Sequence, residues 1–125
     1  MMFDHIGFNV SNLDESKAFL VRALAPLGIG ITAQGEDWAM LGKDGTGQFW
    51  FGAFGPPQGP IHIAFAADDR CQVEAFHAAA LAAGGKDNDA SGVRSQYHAN
   101  YYGAFVIGPD GHNYEAVCHQ SASED

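Results

Sequence analysis

Apolar and polar positions along the chain follow two spacings that occur in the same order twice. Phe3, Ile6, Phe8 and Val10 surround His5 with strand-forming residues, which predicts a buried or half-buried β-strand carrying a titratable ring. After the polar turn SNLDES, residues Ala18, Phe19, Val21, Leu24 and Ala25 recur at helical spacing, and Gly28 stands where a C-terminal cap is expected. Strand MLGK then meets an Asp-Gly turn that favours a hairpin, and QFWFGAF reads as the returning strand. From His62 the order starts again: strand HIAFA, turn ADDRCQ, a helical stretch ending near Gly85, then VIG, a second Asp-Gly turn, and HNYEAVCH.

The recurrence extends to residue identity. His5–Gly28 laid over His62–Gly85 without a gap matches at nine of twenty-four positions, including His5/His62, Ile6/Ile63, Phe8/Phe65, Phe19/Phe76 and Gly28/Gly85. Chance identity in a composition this rich in Ala and Gly is on the order of one in ten, so the chain carries an internal repeat. GPPQGP, residues 55–60, reads as a linker between a first module at 1–54 and a second at 61–119, with residues 120–125 a frayed tail. The implied class is α+β, with two strand-helix-strands modules packed as pseudo-symmetric partners in one domain.

At 125 residues, one domain buries a core without disulfides or a structural metal. Cys71 and Cys118 lack C-x-x-C spacing and read as free thiols. Six basic residues against fifteen acidic give a formal charge of −9, and no Lys/Arg cluster overcomes it, which argues against nucleic acid as a partner. No apolar run approaches the twenty or so residues of a membrane span, and no signal peptide is visible, so the expected location is cytoplasmic.

The module pairing, the D-H-I opening strand, the second H-I-x-F strand and the closing G-P-D-G-x-x-x-E-x-V strand resemble the vicinal oxygen chelate superfamily over nearly all of residues 3–119. That superfamily includes glyoxalase I, fosfomycin-resistance thiol transferases, bleomycin-resistance proteins and extradiol dioxygenases. The resemblance implies paired βαβββ modules forming a cupped mixed sheet, with a divalent metal (Fe, Mn, Ni or Zn) held in the cup. Carried over by position, the ligands are His5, His62 and Glu115, a two-histidine, one-carboxylate set suited to such ions. The bland alternative makes both histidines backbone-bonded rings and places Glu115 on a solvated face. The resemblance also implies a homodimer, with His5 reaching the site in cis or from the other subunit.

In glyoxalase I the closing strand of the first module supplies a further carboxylate, and here the sequence departs from it. Phe49, Trp50 or Phe51 stands opposite Glu115 for a gap of zero, one or two residues, and none of them binds a metal. Gln48 is the nearby polar side chain. Trp50 and Trp38 are candidate pocket walls, although large aromatics in a small domain are more often core. In RSQYHANYY, His98 and Tyr102 are candidate catalytic groups and Tyr101 a substrate contact, while packing and loop positions explain them equally well. His77 and His112 are expected in solvent. The function implied is a metal-dependent lyase/isomerase, thiol transferase or dioxygenase acting on a small molecule chelated through vicinal oxygens. The alternative is a metal-free protein that sequesters a flat cationic ligand between aromatic walls.

Overall fold

The computed structural model describes residues 3–57, 59–93 and 100–119, apart from the side chains of residues 90 and 91. Its elements in chain order are strand β1 (Ile6–Asn9), helix α1 (Leu13–Leu24), strands β2 (Gly30–Gln34), β3 (Trp38–Lys43) and β4 (Thr46–Gly52), then β5 (His62–Ala66), α2 (Arg70–Ala82), β6 (Lys86–Val93), β7 (Tyr102–Ile107) and β8 (Asn113–Cys118). The first four strands form a sheet in the order β1-β4-β3-β2 and the last four repeat it as β5-β8-β7-β6. In both sheets the opening strand runs parallel to the closing one, and the other pairings are antiparallel. This is the doubled βαβββ plan that the repeat predicts.

Local chemistry sets the element boundaries. The Asn12 side chain accepts from the Glu15 N–H at the start of α1, and Asp69 accepts from the Gln72 N–H at the start of α2. Asp14 and Glu15 in the first turn of α1 and Arg22 in its last turn suit the helix dipole. A 3-10 turn, Ala25–Leu27, follows α1 and ends at Gly28 with φ +78°. In the second module the positive φ falls at Gly84, at +102°, one residue before the position the repeat suggests. Gly85 instead fits closely against Val106 and the Ala80 carbonyl. Both Asp-Gly hairpins have positive φ at their two central residues, Asp44/Gly45 and Asp110/Gly111, as that turn requires.

One apolar core serves both modules. Phe8, Phe49, Phe51 and Leu41 of the first sheet join Phe65, Tyr114 and Val106 of the second and Phe19, Leu20, Leu24, Val73 and Phe76 of the helices. Phe49 and Phe65 meet across the seam at 5.3 Å between ring centroids, and Phe19 meets Tyr114 at 5.8 Å. The seam also has a polar clasp, in which Asp110 accepts from both the backbone N–H and the hydroxyl of Ser11.

His112 is in the same seam, contrary to its expected exposure: it is 1% exposed, between Phe8 and Tyr114. Its Nδ1 accepts from the Ile61 N–H at 3.0 Å, which fixes the entry into β5. Burial pushes its pKa down from the ordinary imidazole value, against a smaller upward pull from Asp110. Cys71 is exposed and Cys118 buried, and among the described residues neither is in a disulfide. Among the described residues no helix is long and apolar enough to cross a membrane.

Candidate metal-binding face

Because side chains alternate along a strand, the face of each sheet turned away from the core collects every second residue. In the second sheet Glu115 is flanked by Ala64 of β5 and Phe105 of β7. His62, two residues before Ala64, shares their face. Its ring reaches along the sheet so that Nε2 lies 2.8 Å from Oε1 of Glu115. The carboxylate is fully buried while the His62 side chain is 53% exposed, so the pair has a closed end and an open one. Among the described residues no Lys or Arg pairs with Glu115; its partners are His62 and the Tyr101 hydroxyl, which donates to Oε2.

Tyr101 stands immediately before β7, with its ring edge-on to His119 at 5.3 Å between centroids. Gly103 makes the contact with Glu115 feasible, since a Cβ there would lie 3.1 Å from Oε2 and 3.2 Å from the Tyr101 ring. His62, Tyr101, Phe105 and Glu115 line a cleft of about 280 Å³. A second opening of about 340 Å³ on the other side of His62 is bounded by Asn88, Asp89 and Asn113. Gly103, Phe105, Asn88 and Asp89 were not singled out from the sequence. A glycine inside a strand pattern is a recognised sign of close approach and is the signal that could have marked the first of these; the irregular β6 gave no sign of the last two.

The corresponding face of the first sheet is aromatic. Strand register pairs Gly7 with Trp50, as it pairs Ala64 with Glu115, and Gly7 is the repeat equivalent of Ala64. Trp50 therefore occupies the position of Glu115 in the first module. Phe49 and Phe51 turn into the core instead. The one-residue offset has a visible cause: Leu41 pairs with Phe49 while Gly42 pairs with Gly47, so Gln48 is an extra, bulged residue of β4 and is exposed. The Trp50 indole lies over Gly7, where a Cβ would come within 2.1 Å of it. Trp38, Met40, Trp50 and Phe54 line an apolar cleft of about 270 Å³.

The remaining candidates are placed as follows. His5 precedes β1, is 54% exposed, and bonds Asp4 through Nδ1 at 2.7 Å. It does not reach His62 and Glu115, and among the described residues no three His, Cys, Asp or Glu side chains gather in a group that could hold a metal. Tyr102, expected as a catalytic group, pairs with Cys118 and so lies on the face opposite Glu115. Its hydroxyl donates to Glu74 of α2 at 2.6 Å and Arg70 covers its ring. Burial, and then the Glu74 bond, push its pKa up to about 12. His98 lies outside the described residues. His77 bonds Asp87 at 3.0 Å on the helix side. A further cleft of about 520 Å³ that includes Arg22 and Lys86 is against α1 and shares no lining residue with the His62–Glu115 face.

An imidazole nitrogen and a buried carboxylate oxygen at 2.8 Å, with no Lys or Arg among the described residues to balance the carboxylate, form a donor pair that suits a divalent ion. In the absence of one, a proton can hold the two atoms together. With metal–ligand bonds of about 2.0–2.2 Å, the pair needs to spread by only a few tenths of an ångström to take an ion. The chain thus presents two donors of the expected three.

Neither the family models nor the curated proteins contain a match to this sequence. Solved structures do match it over nearly the full chain. A glyoxalase/bleomycin resistance protein from Albidiferax ferrireducens T118 is 28% identical, with a TM-score of 0.82, covering 96% of this chain and 100% of that one. A putative glyoxalase from Bacillus halodurans is 24% identical, with a TM-score of 0.70 and coverage of 94% and 95%. A glyoxalase/bleomycin resistance protein/dioxygenase family enzyme from Burkholderia phytofirmans PsJN is 14% identical, with a TM-score of 0.72 and coverage of 94% and 99%. The chain thus has the doubled βαβββ fold of these glyoxalase/bleomycin resistance/dioxygenase proteins and matches them over nearly its full length.

Proposed function

We propose that the protein is a metal-dependent enzyme acting on a small substrate chelated through two adjacent oxygens, with the ion held by His62 and Glu115 of one chain and His5 of a second copy. The observation that carries this reading is the buried Glu115, which has no Lys or Arg partner among the described residues and meets the open His62 at 2.8 Å. Two features favour a second copy. His5 of the same chain stands apart from the pair, and beside it Phe3 and Ile6 are 61% and 43% exposed, which suits a contact surface between subunits.

A bound divalent ion would polarise the substrate's oxygens as a Lewis acid. His62 and Glu115 would fix the ion's place from paired strands, which hold geometry better than loops. Phe105 would exclude water on one side of the cleft. Trp50, standing where a carboxylate would complete a four-ligand site, can neither ligate nor move a proton, so its indole acts as a wall. This weighs toward the three-ligand thiol-transferase and dioxygenase types over an isomerase that relies on a second carboxylate.

The apolar cleft of Trp38, Met40, Trp50 and Phe54 favours a second reading, a metal-free protein that sequesters a flat ligand. Elemental analysis of protein purified without an affinity tag or chelator separates the two. The metal reading expects close to one Fe, Mn, Ni or Zn per chain, lost in His62→Ala and Glu115→Ala. An unaltered protein that stays metal-free after reconstitution favours sequestration.

A further inference from the structure

We propose that Tyr101 is a positioning residue that holds one oxygen of Glu115 and leaves the other for the metal, an assignment that rests on the metal reading above. A carboxylate can bind an ion through one oxygen or both, and the choice alters coordination number and the space left for substrate. Here the two oxygens have separate partners: Oε1 faces His62 Nε2, and Oε2 accepts from the Tyr101 hydroxyl. The carboxylate is fully buried, so the bond to Tyr101 is sheltered from competing water.

The surroundings favour this one arrangement. Gly103 leaves the space in which hydroxyl and carboxylate meet, and His119 packs edge-on against the Tyr101 ring. Tyr101 was expected to contact substrate, but its hydroxyl is directed to Glu115. Tyr102, one residue on, gives an internal control, because its hydroxyl bonds Glu74 on the opposite face of the strand.

Co(II) titration of the full chain, followed by visible absorption, tests the assignment. In Tyr101→Phe, Glu115 is free to bind through both oxygens. The expected results are a 10- to 100-fold loss of Co(II) affinity and a weaker absorption spectrum typical of a higher coordination number. Tyr102→Phe should leave both unchanged. Unchanged affinity and spectrum in Tyr101→Phe would overturn the assignment while leaving the metal site standing. No Co(II) uptake by the unaltered protein would remove the metal reading and the role of Tyr101 together.

Difference infrared spectra of the unaltered protein, Co(II)-loaded minus metal-free, need no variant to fold. Binding through one oxygen widens the separation of the two carboxylate stretches, as expected here. A narrowed separation means both oxygens bind and overturns the assignment.

Discussion

His112 shows how one side chain ties the outer face to the core beneath it. Its neutral ring accepts the Ile61 N–H one residue before His62, and its Nε2 is buried with no hydrogen-bond partner among the described residues. Protonation would turn Nδ1 into a donor facing another donor and would bury a charge. The folded-state pKa is therefore below the unfolded value of 6.5. Above 6.5 the stabilisation is fully present; as pH falls from there toward the folded pKa the unfolded chain binds the proton first and stability is lost. His112→Gln keeps an acceptor without the titration. In the presence of a chelator, its urea midpoint should fall less steeply than that of the unaltered protein as pH is lowered below 6.5. Parallel curves would show that His112 does not carry that acid sensitivity. The sequence suggested an exposed turn for this residue, since His follows Asp-Gly there, and only the docking of the first module over the turn buries it.

At the scale of elements, the bulge at Gln48 determines which side chains face outward on β4. It lets Phe49 and Phe51 enter the core and puts Trp50 opposite Gly7. Gly7→Ala should displace the indole from its seat, at a cost of about 1–3 kcal/mol by urea unfolding. Tryptophan emission should move to longer wavelength as Trp50 becomes more exposed; an unchanged spectrum would mean that the ring does not rest on Gly7. Most of this level was legible in the sequence. The His5/His62 repeat gave the doubled modules, the Asp-Gly pairs gave both hairpins, and the closing strand gave Glu115 its face. The bulge was not, because an extra residue in one strand has no signature beyond a gap of uncertain length, and a slip of one residue reverses every side chain after it. The opposite facing of Tyr101 and Tyr102 was hidden for the same reason, since strand parity at the start of β7 depends on where pairing begins.

Across the two modules the parts differ: the first carries His5 and the aromatic cleft of Trp38 and Trp50, and the second carries His62 with Glu115. The repeat made the modules visible, but a sequence cannot say whether a module completes its own chain's site or another's. In a C2 dimer each site would take one face from each copy. His5→Ala and Glu115→Ala would then each disable both sites of their own homodimer, yet damage opposite faces. The most direct test mixes the two variants in equal amounts, unfolds and refolds them together, and measures tightly bound metal. The shared-site account predicts that each variant alone binds almost none, whereas the mixture recovers about a quarter of the unaltered protein's metal, because half the dimers are mixed and each has one intact site of two. A mixture that binds no more than its separate components would contradict it.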